Sequence, residues 1–150
     1  MSIEESLKGI PNLCSPYDGV WSAGQPSNAQ LQTAALAGIA TIINLRPDAE
    51  MEACGIDERA LVESLGMKYV VIPVSGPGSL QPDTARALDA ALSESGTPVL
   101  VHCGSGNRVG ALFALRAAWL QGVAPAQAVA LGRAAGMTAL EPAIRGILGA

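Results

Sequence analysis

The sequence predicts a single α/β domain: a mostly parallel central sheet flanked by helices, with a helical C-terminal portion. Three observations lead there. From residue 20 to residue 102, short β-branched runs alternate with helical patterns, the alternation that lays strand–helix–strand crossovers onto a parallel sheet. A chain of 150 residues is one ordinary domain long and can bury a real core. Composition adds the third: 49% apolar and 15% charged residues describe a chain that folds, and 26 Ala and 17 Gly beside two Trp, two Tyr and one Phe suit closely approaching helices and sheet better than a β-sandwich.

The elements follow in order. Residues 1–18 contain Gly9, Pro11 and Pro16 without a sustained period; they read as an irregular leader covering an edge of the fold, and no chemistry is assigned to them. Val20–Ala23 is a short strand. Ser27 with Gln30 three residues on has capping-box spacing and opens a helix that Gly38 closes. Residues 40–45 form a β-branched strand broken by Arg46-Pro47-Asp48, and 56–65 carry helical spacing ended by Gly66. A strand over 68–74 leads into a loop at 75–79; Pro82 then suits a first helical position, and the helix it opens stops near Gly96. Residues 98–102 read as a strand buried on both faces. Three Ala-rich helices close the chain, at 107–120, 125–135 and 138–148.

Charge and cysteine usage exclude several function classes. A net charge of −4 with no Lys/Arg cluster leaves no electrostatic footprint for nucleic acid or anionic lipid, so neither is expected as a partner. Cys14, Cys54 and Cys103 are odd in number and lack metal or C-x-x-C spacing, which fits reduced thiols in the cytoplasm. With one His beside them, no closed four-ligand zinc site is expected. Glu4, Glu5, Lys8 and Pro11 interrupt any signal peptide, and no run approaches the roughly 18 apolar residues that span a bilayer.

The segment that carries chemistry is Val101-His102-Cys103-Gly104-Ser105-Gly106-Asn107-Arg108-Val109-Gly110, between a buried strand and a helix. Small residues at 104–106 let consecutive N–H groups curl inward while the next helix presents its positive end to the same spot, which makes an anion cradle. Those donors favour the thiolate of Cys103 and make it a nucleophile. Arg108 offers a planar fork of donors for two oxygens of a tetrahedral anion, a geometry lysine lacks.

His102-Cys103-x-Ser105-Gly106-x-Arg108 resembles the signature of the cysteine-dependent protein-tyrosine and dual-specificity phosphatase superfamily. Val20-Trp21-Ser22-Ala23-Gly24-Gln25-Pro26-Ser27 followed by Thr41-Ile42-Ile43-Asn44-Leu45-Arg46-Pro47-Asp48 looks like one bacterial branch, the beta-lactamase-hydrolase-like phosphatase domain, over residues 18 to about 120. The resemblance implies a dual-specificity-phosphatase-like fold and hydrolysis of phosphomonoesters on a small molecule or a phosphoprotein, with no metal or organic cofactor. It also implies roles: Cys103 attacks phosphorus to form a phosphocysteine, and Arg108 binds the phosphoryl oxygens within a loop of Gly104, Ser105, Gly106 and Asn107. An aspartic acid then protonates the leaving group, and water hydrolyses the intermediate.

Two departures keep alternatives open. Four residues separate Cys103 from Arg108 where the phosphatase loop usually has five, and a four-residue gap also occurs in rhodanese-type sulfurtransferases, which carry a persulfide on the cysteine. The usual acid position, in the 75–79 loop, has no carboxylate. Asp48 is the candidate in its place, because parallel strands deliver their C-terminal loops to one edge of the sheet, and Asp83 stands behind it. A non-catalytic phosphate-binding module is the third reading; an intact Cys103 argues against it. His102 is read as a buttress of the loop, since a strand-end neighbour of the nucleophile points to the opposite face. Ser105 either contacts the thiolate or lines the loop, and Cys54 is read as an incidental thiol before a resolving one. Gly104-x-Gly106 with Gly110 mimics a dinucleotide fingerprint but lacks its spacing and its acidic residue.

Overall fold

The computed structural model describes residues 2–150. The α/β expectation holds: four parallel strands and one antiparallel edge strand are covered by helices on both faces. The leader is the main correction. It is not irregular but forms α1 (Ile3–Leu7) and β1 (Cys14–Tyr17), with Met1 outside the described residues. Ser2 caps α1 by accepting the Glu5 N–H at 3.1 Å, a Ser-x-x-Glu spacing visible in the sequence. β1 runs antiparallel to β2 (Val20–Ala23), and Pro16 is tolerated because an edge strand has N–H positions with no ladder partner.

α2 (Asn28–Ala37) starts on a complete capping box: the Gln30 N–H donates to Ser27 Oγ at 3.1 Å and the Ser27 N–H to Gln30 Oε1 at 2.8 Å. β3 (Thr41–Asn44) leads into two short helices, α3 (Asp48–Ala53) and α4 (Glu58–Ser64), where the spacing predicted one helix over 56–65. Gly55 in the left-handed region, at φ +70°, separates them. β4 (Lys68–Val71) stops short of the expected 74, ahead of Pro73, which has no N–H for the ladder. Then come α5 (Pro82–Glu94), β5 (Val99–His102), α6 (Asn107–Leu120), α7 (Pro125–Ala134) and α8 (Glu141–Leu148).

The strand order is β1-β2-β5-β3-β4, so the last strand lies in the middle, with all four of its residues buried. Alternation along β5 sends Val99, Val101 and Cys103 into the core with Leu88, Leu112 and Phe113, while Leu100 joins Leu7, Leu31 and Val62 on the other side. Each large side chain so buried contributes about 1.5–3 kcal/mol. Register fixes what matters for function: Ala23 of β2 and Asn44 of β3 both stand opposite His102. Three parallel strands therefore end at one level, and the segments after them, starting at Gly24, Leu45 and Cys103, share one edge of the sheet. Among the described residues no helix is long and apolar enough to cross a membrane.

Candidate active site

The loop after β5 is shaped by backbone requirements that small residues meet. Gly106 has φ +92° and caps α6, and its N–H donates to Cys103 Sγ at 3.0 Å, which turns the loop inward around the sulfur. Cys103 itself is fully buried. The strand pairing continues one step beyond β5, with the Cys103 N–H on the Ala23 carbonyl at 3.2 Å and the Leu45 N–H on the His102 carbonyl at 2.9 Å. Gly24 must be glycine for a different reason: a Cβ there would stand 2.8 Å from the Gly104 carbonyl oxygen and 3.1 Å from Ser105 Cα.

Arg108 enters from the first turn of α6 and is oriented by two partners. Its Nη1 and Nη2 donate to Glu50 Oε1 and Oε2 at 2.9 and 2.8 Å, and Nη1 also donates to the Val74 carbonyl at 2.8 Å. That uses the end of the guanidinium and leaves Nε–H and the second Nη2–H, the side-on fork, without a carboxylate or carbonyl partner among the described residues. Hydrogen bonding to Glu50 raises the Arg108 pKa above the ordinary arginine value, with the nearby Cys103 sulfur adding to it. Glu50, in the first turn of α3, is shared with Arg46, whose Nε lies 2.5 Å from Glu50 Oε2. Held chiefly by Arg108 and then by Arg46, the Glu50 carboxyl drops to a pKa of about 2 and is ionised at neutral pH.

A buried polar chain continues on the α4 side. Arg46 Nη1 donates to Gln25 Oε1 at 2.9 Å, Gln25 Nε2 donates to Glu58 Oε1 at 2.6 Å, and Glu58 Oε2 lies 2.6 Å from His102 Nε2. His102 Nδ1 lies 3.2 Å from the Cys103 carbonyl oxygen, which returns the chain to the backbone of the Cys103 loop. Glu58 is 2% exposed. Burial alone would push its carboxyl up, but the hydrogen bond and charge of His102, with Gln25, outweigh that and bring it below the usual range. Burial raises the phenol of Tyr69, whose oxygen accepts from Asn44 Nδ2 at 2.8 Å.

The residues singled out in the sequence are distributed as follows. Cys103, Gly104, Ser105 and Gly106 form the loop, and Arg108 follows in the first turn of α6. Asn107 sits at the start of α6, where its Oδ1 accepts from the N–H groups of Thr138 and Leu140 at 2.9 and 3.0 Å. Ser105 is exposed, and among the described residues its hydroxyl makes no hydrogen bond to the sulfur. His102 turns to the α4 side, where its Nε2 meets Glu58, while Cys103 packs in the core cluster with Leu112 and Phe113. Asp48 opens α3 at the same sheet edge and is exposed; it lines a cleft of about 470 Å³ with Glu58 and Tyr69, and the carboxylate that reaches Arg108 is Glu50. Asp83 pairs with Arg86 on the exposed face of α5. Cys54 is an exposed free thiol whose sulfur accepts from Arg46 Nη2 at 3.1 Å.

Sequence reasoning missed Gln25, Arg46, Glu50 and Glu58 as members of the site, and Asn12 as its clamp. Asn12, in the left-handed region at φ +53°, donates from Nδ2 to the carbonyls of Ser105 and Gly136, each at 3.0 Å, so the leader secures the loop. The available signals were the wording of the Gly24-Gln25-Pro26 and Leu45-Arg46-Pro47 turns at strand ends, and a non-glycine residue able to adopt positive φ next to Pro11.

Residues 18–120 match the family described as beta-lactamase hydrolase-like protein, phosphatase-like domain. The beta-lactamase hydrolase-like protein of Agrobacterium fabrum (strain C58 / ATCC 33970) is 37% identical over 95 residues, which are 62% of this chain and 22% of that protein. The chain thus spans 22% of the length of the curated relatives it matches. A crystal structure of a phosphatase-like protein from Shewanella putrefaciens CN-32 superposes with a TM-score of 0.70 at 31% identity, covering 98% of this chain and 92% of that one. Kinase-associated phosphatase, crystallised with serine in place of its catalytic-site cysteine, shares the fold with a TM-score of 0.65 at 16% identity over 95% of this chain and 99% of that one.

Proposed function

The chain belongs to the phosphatase-like domain family of the beta-lactamase hydrolase-like proteins, and we propose that it hydrolyses phosphomonoesters through a phosphocysteine on Cys103. The observation that carries this reading is the Cys103 sulfur held by the Gly106 N–H at 3.0 Å beside an arginine whose end is fixed and whose side-on fork is free. In the proposed reaction the phosphoryl group lies against that fork and the N–H groups at the start of α6, and Cys103 Sγ attacks phosphorus opposite the leaving oxygen. The S–P bond forms as the P–O bond breaks, and water then cleaves S–P to release phosphate and the thiolate. Donors fixed before the reaction stabilise the charge on the equatorial oxygens without reorganising, which is worth about 3–4 kcal/mol per donor in comparable sites.

The leaving oxygen needs a proton. Glu50 is unsuited to supply it, being ionised down to a pKa of about 2 and bonded through both oxygens to Arg108. Asp48 is the acid we propose, supported by its place on the same sheet edge and by its exposed carboxyl, which makes no hydrogen bond among the described residues. The four-residue gap between Cys103 and Arg108 keeps persulfide transfer as the second reading.

Hydrolysis of 4-nitrophenyl phosphate and cyanide-dependent turnover of thiosulfate, each with wild type and Cys103→Ser, separate the readings. Phosphate release that the substitution abolishes is the expected result. Thiocyanate formation without phosphate release would establish sulfur transfer, and phosphate binding with neither turnover would leave a binding module. In the same assay Asp48→Asn should slow an alkyl phosphate more than 4-nitrophenyl phosphate, whose leaving group departs without a proton; equal slowing would reject Asp48 as the acid.

A further inference from the structure

We infer that Gln25 is a positioning residue for this reaction: its carboxamide couples the buried His102–Glu58 pair behind the nucleophile to the Arg46–Glu50–Arg108 fork in front of it. The inference rests on the phosphatase reading for its kinetic consequence, but the coupling itself is a property of the folded chain.

Placement comes first. Gln25 follows Gly24 at the end of β2, where Ala23 and Asn44 stand level with His102. The backbone of this turn is pressed onto the nucleophile loop, with the Gln25 N–H donating to the Gly104 carbonyl at 3.0 Å. The side chain thus starts from a fixed point between the segments that follow β3 and β5.

Polarity comes second. Glu58, ionised, can only accept, and it receives Gln25 Nε2–H at 2.6 Å; Arg46 can only donate, and its Nη1 meets Gln25 Oε1 at 2.9 Å. The other Nε2–H goes to the Pro26 carbonyl at 3.0 Å. A carboxamide offers a donor face and an acceptor face at this reach. A carboxylate would repel Glu58, a lysine would leave Arg46 without an acceptor, and an apolar chain would leave both partners short. Arg46 is only 8% exposed, so water does not readily replace the lost acceptor, and a change there passes directly to Glu50 at 2.5 Å and from Glu50 to both Nη atoms of Arg108. In the other direction, Glu58 links to His102 Nε2, and His102 Nδ1 lies against the Cys103 carbonyl. Gln25 touches neither sulfur nor phosphate in this scheme; it sets the angle of the groups that do.

The charged groups that meet this carboxamide are Glu58 from α4 and Arg46 after β3; the titratable groups bonded to those two are His102 from β5 and Tyr69 from β4 on Glu58, and Glu50 from α3 and Cys54 just after it on Arg46. Placing a second carboxylate beside Glu58 forces the two to share a proton, which sets the test. Gln25→Glu and Gln25→Met both keep the backbone bond to Gly104. With 4-nitrophenyl phosphate, Gln25→Met should lower kcat on the order of tenfold to a hundredfold across the whole pH range, the loss expected when a binding fork is misplaced by a fraction of an ångström. Gln25→Glu should approach the wild-type rate at acidic pH and fall below it progressively as the pH rises and the shared proton leaves, whereas the ratio of Gln25→Met to wild type should stay constant with pH. His102 is the sole histidine, so its imidazole NMR signal reads the same coupling without catalysis and should move in both variants. An active wild type with both variants matching its kcat and pH profile would overturn the inference and leave the phosphatase reading intact. If wild type does not hydrolyse phosphomonoesters, that reading fails, and the His102 signal then decides: displacement in the variants upholds the coupling, an unmoved signal removes it.

Discussion

Arg108 has five N–H groups to give, and three of them are already committed to Glu50 and the Val74 carbonyl. A lysine in its place has three donors radiating from one point and cannot both keep Glu50 and present two parallel bonds to an anion. Arg108→Lys should therefore lower kcat/KM for 4-nitrophenyl phosphate by tenfold or more; a rate within twofold of wild type would deny the fork its part in the transition state. At this scale the sequence made the loop legible but not its supports. Cys103, Gly106 and Arg108 lie within six residues, where spacing alone implies geometry. Glu50 and Gln25 lie 58 and 83 residues from Arg108, and only the register of β2, β3 and β5 brings Glu50 to it and Gln25 to the Arg46 that shares Glu50. The turns at 24–26 and 45–47 mark strand ends, but spacing along the chain does not say which of their side chains meet.

At the scale of elements, the Ala and Gly content announced close helix packing, and α6 against α7 is where it is used. A Cβ on Gly110 would stand 2.2 Å from the Met137 N and 2.5 Å from the Gly132 carbonyl oxygen, and one on Gly132 would stand 2.9 Å from Ala114 Cβ. The likeness of Gly110 to a dinucleotide motif has this packing as its cause. Gly110→Ala sets two effects against each other: about 1 kcal/mol gained in helix propensity and about 1–3 kcal/mol lost to overpacking. The clash is with backbone, which cannot swing away as a side chain does, so the loss should win and Tm should fall by several degrees in calorimetry. A raised Tm would show that the two helices can part. The helix at 28–37 was readable because its capping box is local, whereas the break between α3 and α4 depends on Gly55 adopting φ +70°, a choice its neighbours in the sequence do not dictate.

For the whole molecule, the acidic limb of stability follows from carboxylates held ionised. Glu50 has a folded pKa of about 2 against an ordinary 4.5, and Glu58 is also lowered. A depressed folded value means stabilisation that is fully present above the unfolded pKa and is lost as the pH falls from about 4.5 through about 2. For Glu50, whose side chain is 32% exposed, screening reduces this to on the order of 1–2 kcal/mol. Tm measured from pH 6 to pH 2 should drop more steeply for wild type than for Glu50→Gln, and parallel curves would mean that the Arg46–Glu50–Arg108 cluster adds nothing net to stability. The parallel sheet was legible from alternation alone; its order was not, since nothing in the spacing says that the fifth strand inserts between the second and third.

That insertion governs when the protein can exist as a competent whole. Without residues 99–102, β1–β2 and β3–β4 are two ribbons that share no border, and Gln25 and Arg46 belong to different ribbons. The same segment that welds the halves also leads into Cys103, so a chain interrupted before Val99 loses its candidate site and its architecture together.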